Sequence, residues 1–433
     1  MHRKRVAIFA NVVFEENGNQ SVKNFTQGLL LRGYEVVFLT VHPGEGDYMR
    51  QFIASFPRLR MVNLLAGKTA TRIALGGGGR LWKNVKEFVK RNFVYKKLQS
   101  NSRVIQWFSL LNTISTLRLA GKYIERNHEL LRDCDQYIFI DVFGGLLSRY
   151  LKTLQKSLWR EISGKTTGYY LGTVLSQFKG NNLLSFLVMP LTFCGSYKVP
   201  HAKLLITDDG TQGEDVFRKY MRYPNRILFL RNGIDEKLEK LTLTVNKVGS
   251  ARESKVHFVA CSRLVSWKRV DRIIRFVCHV KNMMSVGIEL TIIGDGEERD
   301  SLVRLVSTLG MSDFVRFTGG LQYDAAISEI ASKDYYILFN DLSNLGNQIY
   351  ESIILRVVPL TIDDGSTDAL LTHGVNSMKF GKSVNFEENA ARMFASMHSK
   401  ATHAQMREAL GHTQKILYTW RERNKLESDF MFG

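Results

Sequence analysis

The sequence reads LTIIGDGEE from Leu290 to Glu298, and this stretch indicates the fold of the second half of the chain. A short buried strand is followed by a Gly-Asp-Gly turn and by a helical pattern that continues to Leu309. A buried strand that passes through a glycine turn into a helix is typical of parallel α/β sheets. We therefore expect an α/β fold with a doubly wound parallel sheet.

The same alternation continues on both sides of this stretch. Upstream, a strand at Val256–Ala260 is followed by a helix whose apolar residues recur on one face from Val270 to Val280. The loops of such a sheet open at the carboxyl ends of its strands, where ligands bind. Downstream, the pattern predicts a strand from Val315, a helix at Tyr323–Ala331, and strands at Tyr335–Phe339 and Val357–Ile362.

The first half of the chain predicts a second domain. A chain of 433 residues with 44% apolar composition is too long for one ordinary core and suits two domains of about 200 residues. Residues 246–255 are polar and lack an apolar period, so we divide the chain into domains 1–243 and 244–410. The predicted strands of the first domain are Val6–Phe14, Val36–Val41, Arg60–Leu64, Tyr137–Ile140 and Lys203–Thr207.

Two loops of the second half carry charged side chains. The loop after Val256–Ala260 holds Arg263 and Lys268, and cations beside helix N-termini favour anionic ligands such as phosphate. The other loop reads SNLGNQIYE from Ser343 to Glu351 and supplies a carboxylate. The alternative for Arg263 and Lys268 is a pair of ordinary surface charges.

In order and spacing, these segments resemble group 1 (family 4-like) glycosyltransferases of the GT-B fold, which has two Rossmann-like parallel-sheet domains around a cleft. The resemblance covers residues 6–410 approximately, and it implies that residues 411–433, with a helix from His412 to Glu427, cross back to the first domain. The positions that carry it are Arg263, Lys268, Gly294, Asp295, Gly296, Glu351 and Asn376, with LRNGID at Leu230–Asp235 and LLLRGYEV at Leu29–Val36.

The resemblance implies a nucleotide-diphosphate sugar as co-substrate, retention of anomeric configuration, and no metal or other cofactor. Breaking the bond between a sugar and a diphosphate leaves negative charge on the diphosphate, so Arg263 and Lys268 are the expected catalytic cations. Glu351 is expected to hold the ribose hydroxyls. Backbone amides are expected to add hydrogen-bond donors without a metal. The full donor-binding set is Gly18, Asn19, Arg263, Lys268, Gly294, Ser343, Gly346, Asn347 and Glu351.

One position departs from the family pattern. The first acid of its acidic pair, which lies near the transferred sugar, is Ser343 in this chain. A hydroxyl can hydrogen-bond a sugar but cannot stabilise a cationic transition state as a carboxylate does, and Asn347 could replace part of that contact. Asp141 stands where the family often has a His, and it is the expected acceptor-side catalytic residue.

The predicted function is transfer of a sugar to a lipid-linked or polysaccharide acceptor in cell-envelope glycan or glycolipid synthesis. The alternative is a catalytically silent glycosyltransferase-like protein that binds a nucleotide sugar or acts as a scaffold, which the serine at position 343 suggests.

Positive charge is concentrated in the first half. Residues 1–243 hold 37 Lys and Arg against 19 Asp and Glu, whereas residues 244–433 hold 23 against 22. Leu81–Phe93 has the pattern of a basic amphipathic helix, which predicts contact with an anionic membrane and a cytoplasmic protein on the inner face of the plasma membrane. The alternative is a core-facing helix with a solvated basic face. Because no motif that reads DNA or RNA accompanies the charge, nucleic acid is not an expected partner.

Two further patterns are weaker than they look. Asp133-Cys134-Asp135 spells the D-x-D of metal-dependent transferases, but the pattern around it is not that of their fold, so we expect no metal there. The apolar run Leu183–Cys194 contains Pro190 and is shorter than the roughly 20 residues that a membrane span needs.

Overall fold

The structure is a computed structural model that describes residues 4–12, 14, 20–41, 47–65, 103–172, 201–211, 213–214, 226–236, 238 and 255–433. The chain forms two compact units. The first contains Met1–Thr207, Glu214–Leu230 and Asn424–Gly433, and the second contains Asp208–Gly213 and Arg231–Arg423. The predicted domain boundary at residue 243 and the basic segment 81–93 lie outside the described residues, and both stay predictions.

The first unit is built on a seven-stranded sheet. Its strands are β1 (Arg5–Phe9), β2 (Glu35–Thr40), β3 (Leu59–Asn63), β4 (Gln136–Ile140), β5 (Thr166–Tyr170), β6 (Lys203–Asp208) and β7 (Arg226–Arg231). Their order is β3-β2-β1-β4-β5-β6-β7, and neighbours from β3 to β6 pair in parallel. Since the order reverses between β1 and β4, the carboxyl ends of these strands flank the crevice where doubly wound sheets bind ligands.

Helices connect the strands of this unit and pack closely on the sheet. The Phe9 and Phe139 rings stack with centroids 4.6 Å apart and so join β1 to β4 in the core. A Cβ on Gly144 would lie 2.5 Å from the main-chain carbon of Phe139, so a glycine there lets the helix after β4 rest on the strand. The helices are α1 (Gln20–Leu31), α2 (Asp47–Ser55), α3 (Arg103–Arg126), α4 (Asp141–Leu154) and α5 (Lys156–Ile162).

The second unit repeats this plan with six parallel strands. They are β8 (Lys255–Cys261), β9 (Gly287–Ile293), β10 (Val315–Gly319), β11 (Tyr335–Leu338), β12 (Val358–Asp363) and β13 (Met378–Gly381), in the order β10-β9-β8-β11-β12-β13. The order reverses between β8 and β11, so their carboxyl ends flank the ligand-binding edge. The helices are α6 (Val270–Met283), α7 (Arg299–Thr308), α8 (Tyr323–Ala331), α9 (Asn347–Ile354), α10 (Phe386–Met397) and α11 (Lys400–Gln414).

Helix α6 shows how the sequence pattern becomes a core. The apolar residues predicted to share one face are all buried, and Phe276 between them packs edge-on against Phe339 with ring centroids 5.3 Å apart. Strands β11 and β12 are buried at nearly every position, as expected when helices cover both faces of a parallel sheet. The predicted class, α/β with two parallel sheets, is correct.

Two predicted elements need correction. The strand predicted at Val6–Phe14 ends at Phe9. The single helix predicted from His412 to Glu427 is wrong, because α11 ends at Gln414 and a separate helix, α12, spans Trp420–Phe432.

A capping box starts the new helix α12. Glu422 N donates to Thr419 Oγ1 at 3.2 Å, and Thr419 N donates to Glu422 Oε2 at 2.8 Å. The far end of α12 belongs to the first unit. There, Gln136 Nε2 and Lys203 Nζ donate to the carbonyl oxygen of Met431 at 2.8 and 2.7 Å and satisfy a helix-end acceptor.

Candidate functional site

The loop after β8, residues 262–269, is tied to the end of β9. Ser262 N donates to Ile293 O at 3.0 Å. Gly294 has a φ of +135°, and a Cβ on it would lie 1.9 Å from Ser262 O. Only glycine permits this approach of two backbones. Gly294 therefore acts by positioning the loop that carries Arg263.

Arg263 and Lys268 place two positive charges near each other in this loop. Lys268 ends a short 3₁₀ turn, and its Nζ lies 4.2 Å from the centroid of the Trp267 ring. Burial, reinforced by the charge of Arg263, lowers the pKa of Lys268 to about 8. Neither cation has an ion pair with a carboxylate within the described part of the chain. Two unneutralised cations at the carboxyl edge of a parallel sheet favour an anionic ligand.

The loop after β11 lies against this first loop. Asp341 N donates to Trp267 O at 3.0 Å, and the Asp341 carboxylate pairs with Arg269 at 3.3 Å and Arg272 at 3.2 Å. Arg269 has a φ of +50°, a left-handed conformation that these contacts hold in place. The fold thus brings together the two charged loops that the sequence analysis singled out.

The second loop passes through Gly346 into helix α9, whose first amides have no partner within the helix. Asn347 Oδ1 accepts a hydrogen bond from Asn232 Nδ2 at 2.9 Å, and Asn232 Oδ1 accepts one from the Arg423 guanidinium at 2.6 Å. Arg423 is fully buried, so this chain of contacts fixes the start of α9. The side-chain oxygen of Asn347 is engaged here, and the part of Asn347 in donor binding stays a prediction.

Glu351 lies one turn into α9 and is half-buried. Burial raises its pKa to about 7, and a hydrogen bond from the Tyr323 hydroxyl opposes that shift. Burial also raises the pKa of the Cys261 thiol at the end of β8, and this thiol is within electrostatic reach of both Glu351 and Lys268. The predicted carboxylate and the predicted cation therefore surround the same strand end.

Ser343, at the other end of the second loop, is held by the backbone. Its hydroxyl donates to Asp209 O and accepts from Leu345 N at 3.1 Å. Gly210 packs so closely here that a Cβ on it would lie 2.6 Å from Ser366 O and 2.7 Å from Ser343 Oγ. The serine hydroxyl is engaged within the protein, and its contact with a sugar stays a prediction.

Asp141 belongs to the first unit, where it directly follows β4 at the switch point of that sheet. It is half-buried, has a φ of +51°, and accepts a hydrogen bond from Leu171 N through Oδ1 at 2.9 Å. It thereby joins the segment after β5 to the start of α4. Its role toward an acceptor stays a prediction, and Gly18 and Asn19 lie outside the described residues.

Four residues that shape this site were not foreseen as such: Tyr323, Asp341, Asn232 and Arg423. Asn232 stands in the quoted LRNGID motif, but nothing in that motif points to its partner, because Arg423 is 191 residues further along the chain. Asn376, one of the positions of the resemblance, is buried and structural. Its side chain accepts from Thr372 N at 2.7 Å and donates to Leu370 O at 2.9 Å.

In the part of the chain that the structure covers, no group of three or more His, Cys, Asp or Glu side chains is arranged to hold a metal ion. In the D-x-D stretch, Asp135 Oδ2 accepts from Arg5 N at 2.7 Å, and this contact joins β1 to the segment before β4. No helix among the described residues has the length and apolar character that crossing a bilayer requires.

Comparisons with known proteins agree with this fold. Residues 244–411 match the family described as glycosyl transferases group 1. HepE of Anabaena, solved in complex with UDP and glucose, has a TM-score of 0.62 at 11% identity, with 99% of both chains covered. WaaG, a glycosyltransferase involved in lipopolysaccharide biosynthesis, has a TM-score of 0.62 at 13% identity, covering 99% of this chain and 100% of that one.

The chain therefore has the GT-B fold, as the sequence predicted. The match to the glycosyl transferases group 1 family covers 168 of the 433 residues. A local match extends to a curated relative, the lipopolysaccharide core biosynthesis glycosyltransferase LpsE of Rhizobium meliloti (strain 1021), which is 41% identical over 66 residues. That stretch spans 15% of this chain and only 19% of the length of LpsE.

Proposed function

We propose that this protein is a retaining, metal-independent glycosyltransferase. It moves a sugar from a nucleotide-diphosphate sugar to a lipid-linked or polysaccharide acceptor in cell-envelope glycan or glycolipid synthesis. The observation that carries the proposal is the pair Arg263 and Lys268, without carboxylate partners in the described residues, near the half-buried Glu351. A nucleotide sugar offers a diphosphate to the cations and ribose hydroxyls to the carboxylate. The local likeness to LpsE supports the cell-envelope acceptor.

The geometry suits the chemistry of the leaving group. Negative charge grows on the diphosphate as its bond to the sugar breaks, and cations that are already in place lower the barrier because they need not reorganise. Arg263 is held by the close contact of its loop with Gly294, and Lys268 by the 3₁₀ turn beside Trp267. Both charges are therefore positioned before the donor arrives.

Donor binding can be tested by thermal shift with UDP, GDP, ADP and their glucose esters, because a ligand that binds only the folded state raises its melting temperature. For transfer or donor hydrolysis, we expect Lys268→Ala to lower the rate about a hundredfold through loss of one preorganised charge. The exposed Lys415→Ala is the matched control. Unchanged turnover by a folded Lys268→Ala protein would contradict the assignment.

A catalytically silent binding protein is the second candidate, and Ser343 favours it. The hydroxyl at this position is bound to the protein backbone and supplies no carboxylate toward a sugar. A silent protein would be stabilised by nucleotide sugars without consuming them. Release of nucleoside diphosphate from a donor that binds, with or without an acceptor, would exclude this candidate.

The excess of basic residues in 1–243 favours a cytoplasmic protein on the inner face of the plasma membrane. Attraction to an anionic surface contributes about 1 kcal/mol per basic residue and fades within a Debye length. Binding to vesicles should require anionic lipid, weaken as salt rises, and fall when Lys83, Lys86, Lys90 and Arg91 are neutralised together. Neutralising Arg299, Arg304, Lys400 and Lys415 is the control. Equal binding to neutral and anionic vesicles would contradict the membrane role.

A further inference from the structure

We infer that Asp209 determines which sugar the site accepts, by binding hydroxyls of the transferred sugar with its carboxylate; this inference rests on the proposed function. Asp209 follows β6 of the first sheet, but the segment Asp208–Gly213 belongs to the second unit. There the Ser343 hydroxyl donates to Asp209 O, and Gly210 lies against Ser366 O and Leu345 Cβ. The segment is thus seated on the loops that follow β11 and β12.

The order of groups along the second loop gives the direction of a bound donor. A nucleotide sugar is linear, with the nucleoside at one end, the diphosphate in the middle and the sugar at the other end. If Glu351 holds the ribose, and Lys268 with the first amides of α9 holds the diphosphate, the sugar extends past Gly346 toward Ser343. The Ser343 hydroxyl is bound to the main-chain oxygen of Asp209. Two carboxylates lie at this end of the loop, and both oxygens of the other one, Asp364, accept hydrogen bonds from Asn344 Nδ2 and Ser366 N, so Asp209 is the carboxylate considered for the sugar.

The Asp209 carboxylate is oriented for such a contact. Thr211 donates to Asp209 Oδ1 with both its main-chain N, at 3.0 Å, and its hydroxyl. These two bonds fix the plane of the carboxylate through one oxygen and direct neither bond to Oδ2. Ionised carboxylates only accept hydrogen bonds, and sugar hydroxyls are good donors. Burial raises the pKa of Asp209 to about 6, so the group is ionised near neutral pH.

The test compares two affinities in each variant. Dissociation constants are measured for the nucleoside diphosphate and for its glucose ester, using whichever of UDP, GDP and ADP stabilises the wild-type protein most. Asp209→Asn should weaken binding of the glucose ester about tenfold and leave the nucleoside diphosphate within about twofold. Glu351→Gln should weaken both. Asp313→Asn, an exposed aspartate before β10, is the matched control and should change neither.

Thr211→Val keeps the carboxylate but removes the hydroxyl that donates to it, so this variant tests the same idea if Asp209→Asn fails to fold. It should weaken the glucose ester selectively, by about threefold. Equal affinity of wild type and folded Asp209→Asn or Thr211→Val for the glucose ester would overturn the inference while the proposed function stands. If wild type binds none of the six compounds, both are overturned.

Discussion

Donor affinity should pass through a maximum with pH, because the proposed donor site needs one group ionised and another protonated. Glu351 must carry its negative charge to accept hydrogen bonds from both ribose hydroxyls, and its pKa is raised to about 7. Lys268 must keep its proton to hold the diphosphate, and its pKa is lowered to about 8. Affinity should therefore fall below the first value and above the second, with the maximum between them.

These two pKa values set the size of the effect. When only one protonation state binds, the apparent dissociation constant is the intrinsic constant divided by the fraction of protein in that state. The state with Glu351 ionised and Lys268 protonated makes up about 0.6 of the protein at pH ~7.5 and about 0.1 at pH ~6 and pH ~9. Binding should thus weaken about sixfold on each side, or about 1 kcal/mol.

The assay is calorimetric titration with the nucleotide glucose ester that the wild-type protein binds best. The diphosphate of this ester is esterified at both ends, so its charge does not change between pH ~6 and pH ~9. Glu351→Gln should remove the loss of affinity centred near pH 7 and keep the loss above about pH 8. Only the smaller loss caused by protonation of Asp209 below about pH 6 should then remain on the acidic side. Lys268→Arg should remove the loss of affinity above about pH 8, because a guanidinium stays protonated there. As a control, Glu297→Gln, at an exposed position, should leave the loss of affinity on both sides of the maximum unchanged. A loss of affinity centred near pH 7 that persists in Glu351→Gln, or flat affinity in the wild type, would refute this reasoning.

Three further outcomes concern stability and positioning. Gly294→Ala should lower the free energy of unfolding, measured by urea titration, by about 3 kcal/mol or more, because the new Cβ would meet Ser262 O where the backbone has a positive φ. Gly310 also has a positive φ, +64°, but open space around it, so Gly310→Ala should lower the free energy of unfolding by only about 1 kcal/mol. Arg423→Met should remove the hydrogen bond from the Arg423 guanidinium to Asn232 Oδ1. It should raise the KM for the nucleotide sugar more than it lowers kcat, whereas the exposed neighbour Arg421→Met should not. Because the pKa of Glu351 is raised to about 7, its contribution to stability is full below about pH 4.5 and is lost as the pH rises through about 7. Glu351→Gln should therefore raise the melting temperature of the ligand-free protein at about pH 8 and leave it unchanged at about pH 4.5.

The second unit was predictable because its local patterns agree with its global packing. The strand β8, the helix α6 and the GDG turn lie within a single run of sequence, and the apolar period of α6 matches its buried face. The glycine that the turn requires at position 294 is visible in the sequence, although its contact with Ser262 is not. Where each element is specified by its own residues, reading the sequence in order recovers the sheet.

The first unit was less predictable because some of its elements are specified by distant neighbours. The strand β5 reads TTGYY, and a glycine in the middle of a strand weakens it because it has no side chain to pack. The structure gives the reason for the glycine: a Cβ on Gly168 would lie 2.7 Å from the His201 ring, so the strand needs the space. The break before α12 was readable in principle, since Thr419 and Glu422 have the spacing of a capping box.

The departure at Ser343 looks different once its contacts are known. From the sequence, a serine in place of an acid removes the carboxylate that would stabilise a cationic transition state at the sugar end of the donor. In the structure, the serine side chain is small enough for Gly210 to pack against it. Its hydroxyl donates a hydrogen bond to the main-chain oxygen of Asp209. A carboxylate at position 343 would have no proton to donate to that carbonyl and would repel the ionised Asp209 beside it. Ser343 and Asp209 are therefore linked by this contact, and we expect binding of the sugar to depend on the pair rather than on position 343 alone.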